Sequence, residues 1–453
     1  MEKNLTEGSI FKNIIVFSLP FLLSYLLQTL YGLADLFIIG QFDPTSSTTA
    51  VSIGSQVMHM LTVMIVGLAM GATVLIGRSV GSGDRELRNR AIGNTCTLFV
   101  IISLVLMVLL LILVSPIVRV MSTPAEAVSG TRDYLIICFI GIPFITMYNI
   151  ICSVYRGMGD SKSPMYFVAI ACVCNIILDY VFIGIMGLGP AGAALGTAIS
   201  QGISVIIAVI STVRRQIFTG ISREHFIPDR TTVGNILRVG IPVSAQDGFI
   251  QISFIVITVF ANRRGLADSA AVGIVEKLIG ILFLVPSTLL ASVSAICAQN
   301  IGAGLNERAR RTMWDAVMIA AGVGLVFAGA FQFLAADAVS LFSVDPEVIR
   351  LGDQYMRSYV WDCVLAGMHF VFSGFFCAYG RSGLSFLHNM ISIVSARIPI
   401  AYFTSVIYTD TLYPMGWAAP AGSLVSVAVC LIAYGYIVRN MEENNESRNL
   451  RLR

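Results

Sequence analysis

The stretch Ala50 to Arg90, AVSIGSQVMHMLTVMIVGLAMGATVLIGRSVGSGDRELRNR, returns further along the chain as Ala271 to Arg311, AVGIVEKLIGILFLVPSTLLASVSAICAQNIGAGLNERARR. The two align without a gap, with identities at Ala50/Ala271, Val51/Val272, Leu61/Leu282, Leu68/Leu289, Gly81/Gly302, Gly83/Gly304, Glu86/Glu307 and Arg90/Arg311. The same shift carries Gly159 onto Gly380, and a shift one residue larger carries Asn13 and Pro20 onto Asn235 and Pro242. Near-constant spacing across three elements marks an internal duplication. Each copy of the stretch is an apolar run of membrane-spanning length that ends in a glycine-marked, basic turn.

Working outward, the 453-residue chain is 56% hydrophobic and only 12% charged, and its mean hydropathy is +0.82. These values place it among membrane proteins. A span needs about 20 apolar residues, and twelve stretches qualify: 14–40, 50–77, 91–115, 133–155, 164–186 and 190–213, then 236–262, 271–299, 312–334, 353–378, 385–407 and 416–438. Six spans separate the copies. An even number inserts both in the same orientation, which makes them parallel repeats with substrate bound between or within two six-helix bundles. The expected division is an N-terminal lobe 1–213, a linker 214–232, a C-terminal lobe 233–438 and a tail 439–453.

Basic residues gather in the loops of one side, in the stretches Arg78–Arg90, Arg156–Lys162, Arg214–Arg230 and Arg308–Arg311, at Arg381 and in both tails. The opposite side carries mainly Arg119, Arg132, Arg263, Arg264 and Arg350. The positive-inside rule then puts both termini in the cytoplasm, with Arg263-Arg264 as a local violation. The charges lie in short loops, not on a face that follows a phosphate backbone, so nucleic acid is not an expected partner. The nine cysteines have no CxxC or metal spacing and read as apolar packing. No nucleophile–base pair, HExxH or paired GxGD-like acids appear, so the chain is not read as an enzyme. The first run is long enough to span, and nothing after it reads as a cleavage site.

Charge inside the apolar runs needs an explanation, because a carboxylate at such depth costs several kcal/mol, about 3 or more on insertion scales. Asp35 lies about 8 Å below the outer end of span 1 if that end is Gly40. Asp179 lies about 12 Å below Gly187, and Thr197 about 10 Å below Pro190. Asn175 and Asp179 are four apart and share a helical face. Three spans thus bring oxygen ligands to one level in the outer half of the membrane. Two acids, an amide and a hydroxyl suit Na⁺, or a proton shared by a carboxylate pair that cannot doubly ionise cheaply. The plain alternative is that each acid accepts a helix–helix hydrogen bond, and that the threonine only stitches helices.

The run Gly157-Met-Gly-Asp160-Ser-Lys-Ser-Pro164, then Asn175 to Asp179, then Gly189-Pro-Ala-Gly-Ala-Ala, resembles the signature of multidrug and toxic compound extrusion transporters. The second-half run Gln299-Asn300-Ile-Gly302-Ala-Gly304, with Glu307-Arg308, is similar to the same family. The resemblance covers essentially the whole chain. It implies an all-α membrane protein of twelve helices in two pseudo-symmetric six-helix bundles, V-shaped, that exchanges a drug against Na⁺ or H⁺ by alternating access. In the branch most resembled, the first-lobe cation site corresponds to Asp35, Asn175, Asp179 and Thr197. That branch also has a proline at the Pro20 position, associated with bending of helix 1. Proline lacks the amide proton and frees a carbonyl, which gives the bend a cause. In another branch an acid on helix 7 helps bind the ion; here the comparable residues are Ile250 or Gln251, so a second-lobe cation site of that type is not expected.

The second half still holds buried polar residues that read as cavity or gate: Gln246, Asp247, Gln251, Asp362 and Arg397, with Asp247 and Arg397 each about 18 Å from the inner surface. Arg397 is expected to pair with Asp247 or Asp362. Glu276-Lys277 reads as a rim pair, and His59 and His369 as satisfied core histidines. Met58, Met60, Met64 and Met70 in span 2 offer a polarizable, adaptable wall, or plain packing. If acids and aromatics line the cavity, small cationic amphiphiles are the natural cargo. One charge crossing about 150 mV supplies about 3.5 kcal/mol, enough for a several-hundredfold gradient of an uncharged drug. No cofactor is called for beyond the coupling ion, and a monomer suffices. A flippase for a lipid-linked oligosaccharide or other lipid precursor is the alternative, although it calls for basic residues to meet pyrophosphate where this chain buries acids.

Overall fold

The structure, a computed structural model, describes residues 4–217 and 220–451. Residues 218–219 of the expected linker and the last two of the expected tail lie outside the described residues. All regular structure among the described residues is helical. The first repeat comprises α1 (Ile10–Phe42), α2 (Thr45–Ser82), α3 (Arg85–Val120), α4 (Val128–Ile140), α5 (Ile142–Gly157), α6 (Lys162–Asp179) and α7 (Gly189–Arg214). The second comprises α8 (Arg230–Arg264), α9 (Leu266–Leu282), α10 (Leu284–Gly302), α11 (Asn306–Ser340), α12 (Pro346–Tyr359), α13 (Asp362–Ala378), α14 (Ser382–Ser392), α15 (Ile398–Ile407), α16 (Tyr413–Gly416) and α17 (Ala418–Arg451).

Helices overrun the apolar runs because polar caps add turns at their ends. Ser9 accepts from Lys12 N at the start of α1, and Asp84 from Leu87 N at the start of α3. Gly83, at φ +72°, closes α2 in the left-handed conformation that glycine adopts at little cost. Among the described residues ten helices are long and apolar enough to cross a membrane, or twelve if each of two bent pairs is one span. One pair, Ala125–Ile140 with Ile142–Gly157, bends by 48°; the other, Pro346–Tyr359 with Asp362–Ala378, bends by 42°. In the first pair Pro143 follows the break directly and offers no amide proton to carry the ladder across it.

The duplication is visible atom by atom where α2 and α10 end. A Cβ on Gly81 would stand 1.9 Å from the Gln299 carbonyl oxygen, and one on Gly302 would stand 2.0 Å from that of Arg78. Gly77 faces Ala298 at the same crossing. The side chains follow the same relation: Arg78 donates through Nε (2.9 Å) and Nη2 to the Ala378 carbonyl, while Gln299 Nε2 donates to that of Gly157 at 2.9 Å. Every partner maps onto its counterpart by the shift that aligns the two sequences. Glycine is required here because the backbones touch.

The chain forms two compact units. One contains Met1–Gly248, Ala291–Thr312 and Cys377–Gly380; the other contains Phe249–Leu290, Met313–Phe376 and Arg381–Arg453. In the first unit Ile39, Val51, Leu135, Phe139, Ala193 and Ala194 are fully buried in one apolar cluster. In the second, Ala261, Val272, Val275, Met356, Tyr359 and Ala401 form the centre of another.

Arg264, a violation of the charge bias by sequence, is not a free loop charge. Its Nε donates to Asp268 at 2.7 Å, and its other nitrogens to the carbonyls of Ser405, Tyr408, Thr409 and Thr411. These acceptors include carbonyls left open at the end of α15. A guanidinium spent on six-per-cent exposure and five bonds is a clamp.

Candidate functional site

Within the first unit, α6 packs against both α1 and α7. This arrangement brings together all four residues singled out for cation coupling. Asp35 comes from α1, Asn175 and Asp179 from one face of α6, and Thr197 from α7. Asp35, Asn175 and Asp179 are each no more than 3% exposed. Thr197 Oγ1 donates to Asp35 Oδ2 at 3.4 Å, and Asp35 interacts with both Asp179 and Asn175. Beyond one another, Asp35 Oδ1, both Asp179 oxygens and both polar atoms of the Asn175 amide have no hydrogen-bond partner. Buried polar atoms are costly when unpaired. A cluster of oxygen donors left open in this way fits a proton or a hard cation such as Na⁺.

Two local features place the Asp179 carboxylate. A Cβ on Gly196 would lie 2.0 Å from Asp179 Oδ1, so the acid rests against bare α7 backbone. Immediately after Asp179 the helix widens into a π turn, Tyr180–Ile185. Such turns interrupt the regular ladder and recur at functional sites. Sequence reading passed over Gly196, since a glycine in a membrane helix has many explanations. It also missed Tyr31 and Gln201, which interact with each other. Their signal was available: each lies four residues from a site residue, Asp35 or Thr197, on the same helical face.

The six residues assigned to cavity or gate do not form one group. Pro20 is buried in α1, where the carbonyl of Pro20 accepts from Ser24 Oγ at 2.8 Å. Gln246 is buried in α8, and Asp247 Oδ2 lies 2.8 Å from where a Gly67 Cβ would stand. These belong to the first unit, whereas Gln251, Asp362 and Arg397 belong to the second. The expected ion pair of Arg397 is absent among the described residues. Instead Arg397 Nη2 donates to Tyr359 Oη at 2.9 Å, and the guanidinium sits 4.5 Å from the centre of the Phe254 ring. Burial makes the cation–π contact worth more than it is in water, so a ring and a phenol hold the guanidinium while Asp362, on the same cavity, acts on it electrostatically from beyond salt-bridge distance.

Asp362, His369, Asn389, Ser392, Arg397 and Ser423 line a cavity of about 30 Å³, room for a water or two. His369, expected as a satisfied core histidine, is buried with the His388 ring 5.4 Å away and Ser423 Oγ at 3.3 Å from Nε2. Glu276, expected at a rim, accepts from Thr258 Oγ1 at 3.1 Å.

The chain is similar over 439 residues, at 26% identity, to the probable multidrug resistance protein YoeA of Bacillus subtilis strain 168, covering 95% of this chain and 94% of that one. It is 25% identical over 379 residues to the multidrug export protein MepA of Staphylococcus haemolyticus, covering 83% of each. A crystal structure of MATE in complex with MaL6 superposes with a TM-score of 0.90 at 22% identity, over 97% of this chain and 99% of that one. Most directly, residues 20–181 and 242–403, one block in each repeat, match the family model MatE, and the chain therefore belongs to the MatE family.

Proposed function

We propose that this protein is a secondary active exporter of cationic amphiphilic compounds, driven by antiport of H⁺ or Na⁺ through alternating access in the plasma membrane, with both termini cytoplasmic and the monomer as the working unit. The observation that carries the reading is the pair Asp35 and Asp179, buried side by side with three carboxylate oxygens unpartnered outside the cluster. A membrane protein keeps two acids at such a place when they bind and release a cation. Asn175 and Thr197 complete an oxygen shell that accepts either ion.

In this mechanism the ion enters from outside, neutralises the acids and changes how α1 packs against α6 and α7. Pro20 gives α1 a point where one backbone bond is missing, so its two parts respond separately. Drug affinity falls and the cargo leaves. Gln246, Asp247, Gln251, Asp362 and Arg397 act as polar wall or gate residues. That two curated relatives are named for multidrug resistance or export supports drugs as the cargo.

The test is ethidium efflux from proteoliposomes under separately imposed Na⁺ and pH gradients, comparing wild type with Asp35→Asn and Asp179→Asn. Efflux driven by one gradient and lost by at least tenfold in both variants is expected. Variants as active as wild type would return the two acids to a structural role.

A further inference from the structure

Each repeat is preceded by a short segment whose backbone is held by side chains of the opposite repeat. Residues 4–9 lead into α1. Leu5, fully buried, donates its N–H to Gln299 Oε1 at 3.1 Å, and its carbonyl faces Asn300 Nδ2 at 3.5 Å. The carbonyls of Glu7 and Gly8 accept from Arg308 Nη2 at 2.9 and 2.8 Å. These anchors stand at the end of α10 and the start of α11, in the second repeat.

Residues 220–229 lead into α8 and are held from α3, in the first repeat. Asn89 Nδ2 donates to the Gly220 carbonyl at 3.0 Å, Asn94 Nδ2 to that of His225 at 2.9 Å, and Thr97 Oγ1 to that of Phe226 at 2.7 Å. Asn94 Oδ1 also accepts from the Asp229 amide. A Cβ on Gly93 would lie 2.3 Å from the His225 carbonyl oxygen, so the segment approaches bare helix backbone. Both segments belong to the first compact unit. Gln299 ties the first to the α2–α10 crossing, since its amide also reaches the Gly157 carbonyl.

We propose that residues 4–9 and 220–229 are reciprocal straps, each reaching from the start of one repeat to dock on the other, and that both must detach before the end of the molecule at the α2–α10 crossing can open. Side-chain donors on backbone carbonyls suit a reversible latch. The bonds re-form with water when the strap lifts. The proposal rests on the alternating-access reading, but its test needs neither the coupling ion nor the cargo.

The experiment is labelling by a membrane-impermeant maleimide of a single cysteine, Ala298→Cys, in a chain whose nine native cysteines are replaced. Ala298 is fully buried against Gly77 and reports opening of the crossing. Arg308→Ala loosens the first strap by removing its bonds to Glu7 and Gly8, and Asn94→Ala loosens the second by removing its bonds to His225 and Asp229. Each should raise the labelling rate about two- to tenfold, and the pair together should raise it further. Arg308→Lys, and Thr97→Val, which gives up only the bond to the Phe226 carbonyl, provide a second, milder variant for each strap, with smaller rises expected in the same direction. An unchanged rate in all variants, or a rise from one strap alone, overturns the proposal. A protein that labels as expected yet shows no gradient-driven efflux would sink the transport reading and leave the straps standing.

Discussion

Gly196 owes its place to the absence of a side chain, because Asp179 Oδ1 occupies the volume a Cβ would need. Overpacking a tight site costs about 1–3 kcal/mol. Here the carboxylate gives way more readily than the α7 backbone, so on the proposed antiport reading the cost falls on ion binding. Gly196→Ala is expected to weaken the coupling ion about ten- to hundredfold, read as the ion concentration that half-saturates efflux, while the melting temperature in detergent stays within a few degrees of wild type. A large fall in melting temperature with unchanged ion dependence would make Gly196 a packing residue only. The site residues differ in how well the sequence disclosed them. Asp35 and Asp179 are legible because a charge in an apolar run must be accounted for. Gly196 carries no such cost. Arg397 announced a buried charge but not its partners, since Tyr359 and Phe254 read as ordinary apolar residues of their helices.

At the scale of elements, the helix starts do more than begin helices. Asp229 caps α8 by accepting from Thr232 Oγ1 at 2.7 Å and Thr232 N at 2.8 Å. These two bonds, the hydroxyl first, hold its carboxyl below the ordinary carboxylate range. A carboxylate depressed in the folded state stabilises it fully above the unfolded value and loses that contribution as pH falls through the folded value. The cap should therefore hold down to about pH 4 and weaken below it. The measurement is the hydrogen-exchange protection factor of the Thr232 amide against pH, corrected for intrinsic exchange. Wild type should show a flat profile to about pH 4 and then a fall, and Asp229→Ala a low profile throughout. A fall centred above pH 5 would assign the protection to another group. The span was legible from hydropathy at 236–262, inside the observed helix Arg230–Arg264, but the docking of 220–229 was not, because its bonds go to residues more than a hundred positions away in sequence.

At the scale of the whole molecule, the decisive question is whether the two bent pairs cross the membrane or turn back within it. If they cross, the first repeat has six spans and the two repeats are parallel. If they turn back, each repeat has five spans and the second is inverted. The α2–α10 crossing selects between these. Gly81 meets the Gln299 carbonyl and Gly302 meets that of Arg78 at one and the same place, which puts equivalent ends of α2 and α10 on the same side. Inverted repeats would put them on opposite sides. The sequence disclosed this symmetry through the gap-free repeat, yet not the compact units, because Ala291–Thr312 and Cys377–Gly380 fold with the first repeat. At the α2–α10 crossing their glycine contacts are with backbone carbonyls, which leave no hydrophobic pattern to read. Single cysteines at three exposed positions, Arg85, Glu126 and Glu224, test the arrangement with an impermeant thiol reagent applied to sealed vesicles of known orientation. Six spans place Arg85→Cys and Glu224→Cys on one side and Glu126→Cys on the other. Five spans would move Glu224→Cys to the side of Glu126→Cys, and the parallel repeat would have to be abandoned.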